Sequence, residues 1–241
     1  MSRWMNLNYT LPSGVSIKVD SYSDWCTIGD IFINGEYDFA IDSSLIIADK
    51  KKPFIFLDLG ANVGFFTQRV LHRASWFKVP FSNFKGLLIE ATPSLKPELE
   101  MRLKPWIKLG AELRIITAAV GKKSGFAIMN EGRSHSRNFL SMGSSIGSWN
   151  VPFIDLEKNE LGKGLVNLIK CDIEGAEIFF LKEYGDLLKR CTVFVIECHP
   201  PVCTEKMVTE RLLSLGFEYK GLLRNDPEGI TIWFSNSTVI V

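Results

Sequence analysis

The chain lacks a CxxC pair, an excess of either charge, a long apolar run and a GxGxxG turn, and each absence removes a class of function. Its five cysteines (Cys26, Cys171, Cys191, Cys198, Cys203) are odd in number. That argues against a disulfide framework and for a reducing compartment. No stretch approaches the roughly 18 to 20 apolar residues that cross a bilayer, so no membrane span is expected. A formal net charge of +1 gives no whole-chain electrostatic reason to expect nucleic acid or an anionic membrane as partner. Met1 to Pro12 lacks a basic start followed by an apolar run, so no signal peptide is expected and the expected compartment is the cytoplasm.

What is there suits a core-forming α/β protein. Of 241 residues, 46% are hydrophobic and 23% charged, enough for one large domain. Residues 1 to 50 carry short alternating runs, VSIKV (15 to 19) and DIFINGEY (30 to 37), the second with Asn34-Gly35 inside it. Both residues of that pair tolerate positive φ, so the segment is expected to form a β extension packed on the main domain. From residue 51 to 241 strands and helices alternate. FIFLDL, GLLIE (86 to 90), Leu113 to Val120, LVNLIKC (165 to 171) and TVFVIEC (192 to 198) read as strands. Helices are expected over Val63 to Ala74, Pro93 to Leu103, Ala176 to Arg190 and Lys206 to Leu215. Two final strands follow, and Ser75 to Lys85 and Glu131 to Asn150 read as long connections. Such alternation implies a mostly parallel sheet covered on both faces, with ligands bound beyond the carboxyl ends of its strands.

Acids gather at those ends: Asp58, Glu90, Asp172 with Glu174, and Glu197 beside His199. The stretch FIFLDLGANVG puts strand, glycine turn and helix in sequence. Its glycines, Gly60 and Gly64, have G-x-x-x-G spacing, and an acid precedes them. A carboxylate there would repel a phosphate but attract an ammonium or accept hydrogen bonds. Glu90, 32 residues beyond Asp58, is placed to accept the hydroxyls of a ribose. A phosphate-free, amino-acid-bearing nucleoside fits both features, and S-adenosylmethionine is one. Of the three histidines, His72 is expected on a helix surface, His135 in a polar loop, and His199, stiffened by two following prolines, at a strand end.

DLGANVG, the glutamate closing the second strand, AAVG (118 to 121), IKCDIEGAE (169 to 177) and IECH (196 to 199) together resemble the FkbM family of S-adenosylmethionine-dependent methyltransferases. The resemblance covers roughly residues 53 to 220, and DIFINGEYD (30 to 38) also resembles the family's usual lead-in. It implies a class I methyltransferase (Rossmann-like) fold, a seven-stranded sheet in the order 3-2-1-4-5-7-6 with strand seven antiparallel. It also implies methyl transfer to a hydroxyl of a sugar, glycan or secondary metabolite. On this reading Asp58, Gly60, Ala61, Asn62, Gly64, Glu90, Ala118, Ala119 and Asp172 hold the cofactor. His199 would be the general base, with Asp172 and Glu174 facing the methyl group. A divalent ion on Asp172, Glu174, Glu197 and His199 is the less favoured alternative. Arg133, His135 and Arg137 suggest either a solvated loop or a lid for an anionic acceptor. The partner is then a small-molecule or glycan acceptor. A non-catalytic module on the same fold, or an NAD-dependent oxidoreductase without the usual GxGxxG, are the competing classes.

Overall fold

The computed structural model describes residues 7–130, 139–141, 148–227 and 229–239. The chain opens with a hairpin of β1 (Leu7–Thr10) and β2 (Ser16–Val19). Helix α1 (Tyr22–Ile28) follows, capped by the Ser21 hydroxyl on the Asp24 amide; a π-helical turn (Gly29–Ile33) and α2 (Asp38–Ile47) come next. The expected strands over DIFINGEY are therefore helix and turn. Ile28, Ile31, Tyr37, Ala40, Ile41 and Leu45 recur at helical spacing and are all buried, so the 3.6-residue period prevails over the local Asn-Gly signal. Asn34 stays right-handed (φ −80°) and Gly35 alone turns left-handed (φ 67°), ending a helical run rather than joining two strands.

The main sheet is laid down by β3 (Phe54–Leu59), α3 (Phe65–Trp76), β4 (Phe84–Glu90), α4 (Lys96–Lys108) and β5 (Glu112–Thr117). A small antiparallel sheet of β6 (Phe126–Asn130), β7 (Phe139–Ser141) and β8 (Trp149–Pro152) interrupts it. The chain then returns through α5 (Glu160–Lys163), β9 (Val166–Cys171), α6 (Glu177–Glu183), α7 (Gly185–Leu188) and β10 (Cys191–Cys198). It finishes with α8 (Glu205–Leu213), β11 (Glu218–Asn225) and β12 (Ile230–Ser235). Side by side the strands run β5-β4-β3-β9-β10-β12-β11, with β12 antiparallel to both its neighbours and the other pairings parallel.

Strand order reverses between β3 and β9, the position at which an open sheet leaves a crevice for a ligand. Alternate residues feed opposite faces. Phe54, Phe56, Val193 and Val195 pack with α3 and α4, whereas Leu57, Leu59, Phe194 and Ile196 pack with α6 and α8. A strand buried on both faces needs this near-continuous apolar run.

Three further expectations change. Ser75 to Lys85 is not a long connection, because α3 runs to Trp76 and β4 begins at Phe84. Glu131 to Asn150 is not wholly loop, since β7 and the start of β8 fall within it; Arg133, His135 and Arg137 lie outside the described residues. His72 is buried rather than on the surface, lying between Phe32 and Trp76. Burial, then the nearby Arg69 and Arg73, lower its pKa to about 4.

Candidate functional site

The β3–α3 turn forms the floor of a cavity of about 250 Å³ at the crevice. Gly60 is left-handed (φ 76°), and an added Cβ would overlap the Asp172 carbonyl oxygen, so no side chain can be accommodated there. The Gly60 and Ala61 amides both donate to the Ile89 carbonyl (3.0 and 2.9 Å), which stitches the turn to β4. Asn62 is also left-handed (φ 49°), a conformation asparagine tolerates better than most residues. Its amide donates to Glu90 Oε2 (2.8 Å), and the Thr92 amide donates to Glu90 Oε1 (2.8 Å). Glu90 is thus a fixed carboxylate at the cavity wall, each oxygen keeping a further acceptor site. Ala118 and Ala119, just past β5, line the adjoining wall with Met129.

Two residues expected to hold the cofactor lie outside the cavity lining. Gly64 is outside the cavity lining; its φ of 86° and the approach of Leu99 Cδ1, 2.6 Å from a built Cβ, show that it lets α4 pack closely. Asp58 is fully buried beneath the turn, also outside the lining. Its Oδ2 accepts from the Thr67 hydroxyl (2.7 Å) and its Oδ1 lies 3.8 Å from Lys170 Nζ. Burial lifts the Asp58 pKa to about 6 against the pull of Lys170 and Thr67. Position at a strand end alone does not distinguish a carboxylate facing the crevice from one beneath it.

Lys170, buried on β9, is the element the sequence reading missed. Its Nζ donates to the Gly60 carbonyl (2.8 Å) and pairs with Asp172 Oδ2 (3.1 Å) and Asp58. Burial works against its charge, but Asp172 and Asp58 together hold its pKa above the ordinary lysine value. The available signal was its place in IKCD: a lysine inside an otherwise apolar buried strand needs a counter-charge.

The acids after β9 and β10 do converge. Glu177, fully buried, accepts the Gly175 amide and lies 2.8 Å from His199 Nδ1. His199 Nε2 faces Glu174 (3.6 Å), Glu197 (3.7 Å) and Asp172 (3.8 Å). Glu174 is left-handed (φ 51°), a strained conformation for glutamate that lies within this cluster. Burial alone would lower the His199 pKa, but the Glu177 hydrogen bond and the carboxylates raise it to about 10. These surroundings favour the charged form of His199 near neutral pH over the free base expected for it. Burial and the charge of Asp172 raise Glu174 to about 8 and Glu197 to about 7. Asp172 is the one held low: burial opposes its charge, but Lys170 and His199 outweigh that.

These shifts set a pH dependence. A proton bound more tightly in the folded state stabilises it fully below the unfolded pKa, and that contribution is lost as pH rises through the folded value. For Glu197 and Glu174 the windows run from 4.5 to about 7 and about 8, and for His199 from 6.5 to about 10. Melting temperatures are therefore expected to fall steadily between about pH 5 and 9, and Glu174→Gln should flatten the slope. A wild-type profile that rises over this range would contradict the charge states assigned to the cluster.

Among the described residues, the ligand atoms of Asp172, Glu174 and His199 lie within 4.8 Å of one another, a spacing that could hold a metal ion.

Residues 58–219 match the model of the methyltransferase FkbM domain. No curated protein matches the chain. Among solved structures it is similar to methyltransferase FkbM from Methylobacillus flagellatus KT, with TM-score 0.53 and 14% identity, covering 76% of this chain and 43% of that one. The chain therefore spans less than half the length of that protein. It is also similar to magnesium protoporphyrin IX methyltransferase from Synechocystis PCC 6803 with bound SAM, at TM-score 0.48 and 11% identity, covering 86% of this chain and 82% of that one.

Proposed function

Because the chain belongs to the FkbM methyltransferase family, we propose that its cavity binds S-adenosylmethionine and that it methylates a hydroxyl of a sugar, glycan or secondary metabolite. The carrying observation is Glu90, clamped by the Asn62 and Thr92 amides with acceptor sites left toward the cavity. The residues present fit the cofactor. Glu90 suits two ribose hydroxyls, the Ala118–Ala119 wall with Met129 suits a flat apolar base, and Asp172 suits an ammonium. When bound, S-adenosylmethionine supplies a methyl group on a positively charged sulfur.

The remaining chemistry belongs to the chain. The acid cluster orients the acceptor hydroxyl and takes its proton. Glu197, at about 7, is the carboxylate nearest the range in which a general base works best, while Glu174, at about 8, carries a proton more readily. His199, held by Glu177, keeps its charge among these carboxylates and fixes their positions. Among the described residues, the two cations lining the cavity, Lys170 and Arg224, are already held by carboxylates. That arrangement favours a neutral acceptor over an anionic one. Methyl-labelled S-adenosylmethionine offered with a neutral glycoside and with the matching uronate tests this: label is expected in the neutral compound. Exclusive labelling of the uronate would overturn the acceptor assignment. His199→Ala and Glu174→Gln should each lower turnover by about 10²- to 10⁴-fold, and near wild-type turnover in both would remove the cluster from the mechanism.

The grouping of Asp172, Glu174 and His199 favours a second reading, in which a divalent ion binds the acceptor oxygen. Such an ion would have to displace the His199 proton, so its binding would release protons. Activity unchanged after exhaustive chelation would exclude it; loss restored by Mg²⁺ or Mn²⁺ would establish it.

A further inference from the structure

We propose that Arg224 is a positioning residue that seats the N-terminal segment 29–37 against the acid cluster, closing the acceptor side of the cavity. This rests on reading the cavity as a methyl-transfer site. Segment and arginine both lie outside residues 58–219, the span matched to the family domain. The segment gives Asp30, Ile31, Glu36 and Tyr37 to the cavity lining, and Arg224 lines it too. They are therefore parts of the cavity wall that lie outside the matched span.

The helices flanking the segment are pinned independently. Asp24 on α1 pairs with the buried Arg102 of α4 (2.7 Å). Asp38 on α2 takes Arg69 of α3 (2.7 Å from Nε), and Asp42 takes Arg73. Between these anchors, Glu36 reaches the C-terminal hairpin. Its Oε2 lies 3.5 Å from Arg224 Nη1, while Arg224 Nη2 donates to Glu197 and Nε pairs with Asp226 (2.9 Å). One guanidinium thus bridges the N-terminal wall, the end of β10 and the β11–β12 turn.

Glu36 and Glu197 are both more than nine-tenths buried. Burial raises the Glu36 pKa, and Arg224 opposes the rise. Without the guanidinium, buried Glu36 would lose its cation and Glu197 would keep only His199 (3.7 Å), and the cheaper outcome is for the wall to lift. A lysine could keep the charge but offers a point charge in place of a planar fork reaching three acids.

The test uses the whole chain with Arg224→Met, Arg224→Lys and Glu36→Gln. Hydrogen exchange, measured without ligand, should rise about tenfold or more over residues 29–37 in Arg224→Met, with partial recovery in Arg224→Lys. Glu36→Gln, which keeps the packing and removes one charge, should show a smaller rise confined to the same residues; it also serves if Arg224→Met does not fold. Because Glu197 is shared between Arg224 and His199, the His199 ring resonances should shift in Arg224→Met while those of His72 stay put. Unchanged exchange over 29–37 in Arg224→Met and Glu36→Gln would overturn the proposal. Exchange decides the seating role whether or not the wild type binds S-adenosylhomocysteine, and failure of that binding would count against the methyl-donor reading alone.

Discussion

Gly60→Ala is expected to abolish binding of S-adenosylhomocysteine and to destabilise the fold by about 3 kcal/mol or more. Two penalties act together. The residue is left-handed (φ 76°), and the built Cβ runs into a backbone carbonyl, that of Asp172. A flexible side chain could move aside, but a backbone atom at the end of β9 moves only if the sheet register does. Any shift of Gly60 also breaks the paired bonds to Ile89 and the bond from Lys170. Denaturant unfolding and calorimetric titration measure the two losses separately. Gly64→Ala provides the contrast: it meets the movable Leu99 side chain and lies outside the cavity lining, so it should lose stability with less effect on ligand affinity. Equal ligand binding by Gly60→Ala and wild type would show that the turn does not form the cradle.

Lys170→Met should cost about 3–5 kcal/mol, the range for removing one partner of a buried ionic group. Asp58 is fully buried and Asp172 half-buried, and their shared cation is this ammonium. Its loss leaves Asp58 Oδ1 with no partner, since that atom makes no hydrogen bond even in the wild type. The second consequence is functional. Lys170 ties the Gly60 carbonyl to Asp172, and so ties the cofactor cradle to the acid cluster. Lys170→Met should therefore weaken S-adenosylhomocysteine binding by more than its stability loss alone would, in measurements well below its melting temperature. The double variant Lys170→Met/Asp58→Asn should recover part of the stability by removing the stranded charge. No recovery would mean that Asp58 and Lys170 are not energetically coupled.

Legibility in the sequence followed how local the physics was. The parallel strands were readable because burial on both faces demands apolar runs such as FIFLDL and TVFVIEC, and the acids ending them marked the crevice. The helices of residues 22–47 were not. Asn34-Gly35 carries a strong hairpin signal, and only packing of Ile31, Ile41 and Leu45 into the α3–α4 core shows that it ends a helical run. Asp58 and Asp172 look alike in sequence, yet one lies beneath the turn and the other lines the cavity. Lys170 and Arg224 were overlooked because their meaning is non-local: partners 110 residues away for Gly60 and Lys170, and 27 for Glu197 and Arg224. The role of His199 could not be read from its ordinary pKa, because four carboxylates from the β9–α6 turn, α6 and β10 set its charge together.

The turn, Glu90 and the acid cluster make one claim: that this crevice holds a methyl donor. Calorimetric titration of the wild-type chain with S-adenosylmethionine, S-adenosylhomocysteine and NADH tests it most directly. The account predicts saturable one-to-one binding of both sulfur nucleosides, weakened in Glu90→Ala, and no binding of NADH. Binding of NADH without the other two, or sulfur-nucleoside binding indifferent to Glu90→Ala, would contradict it.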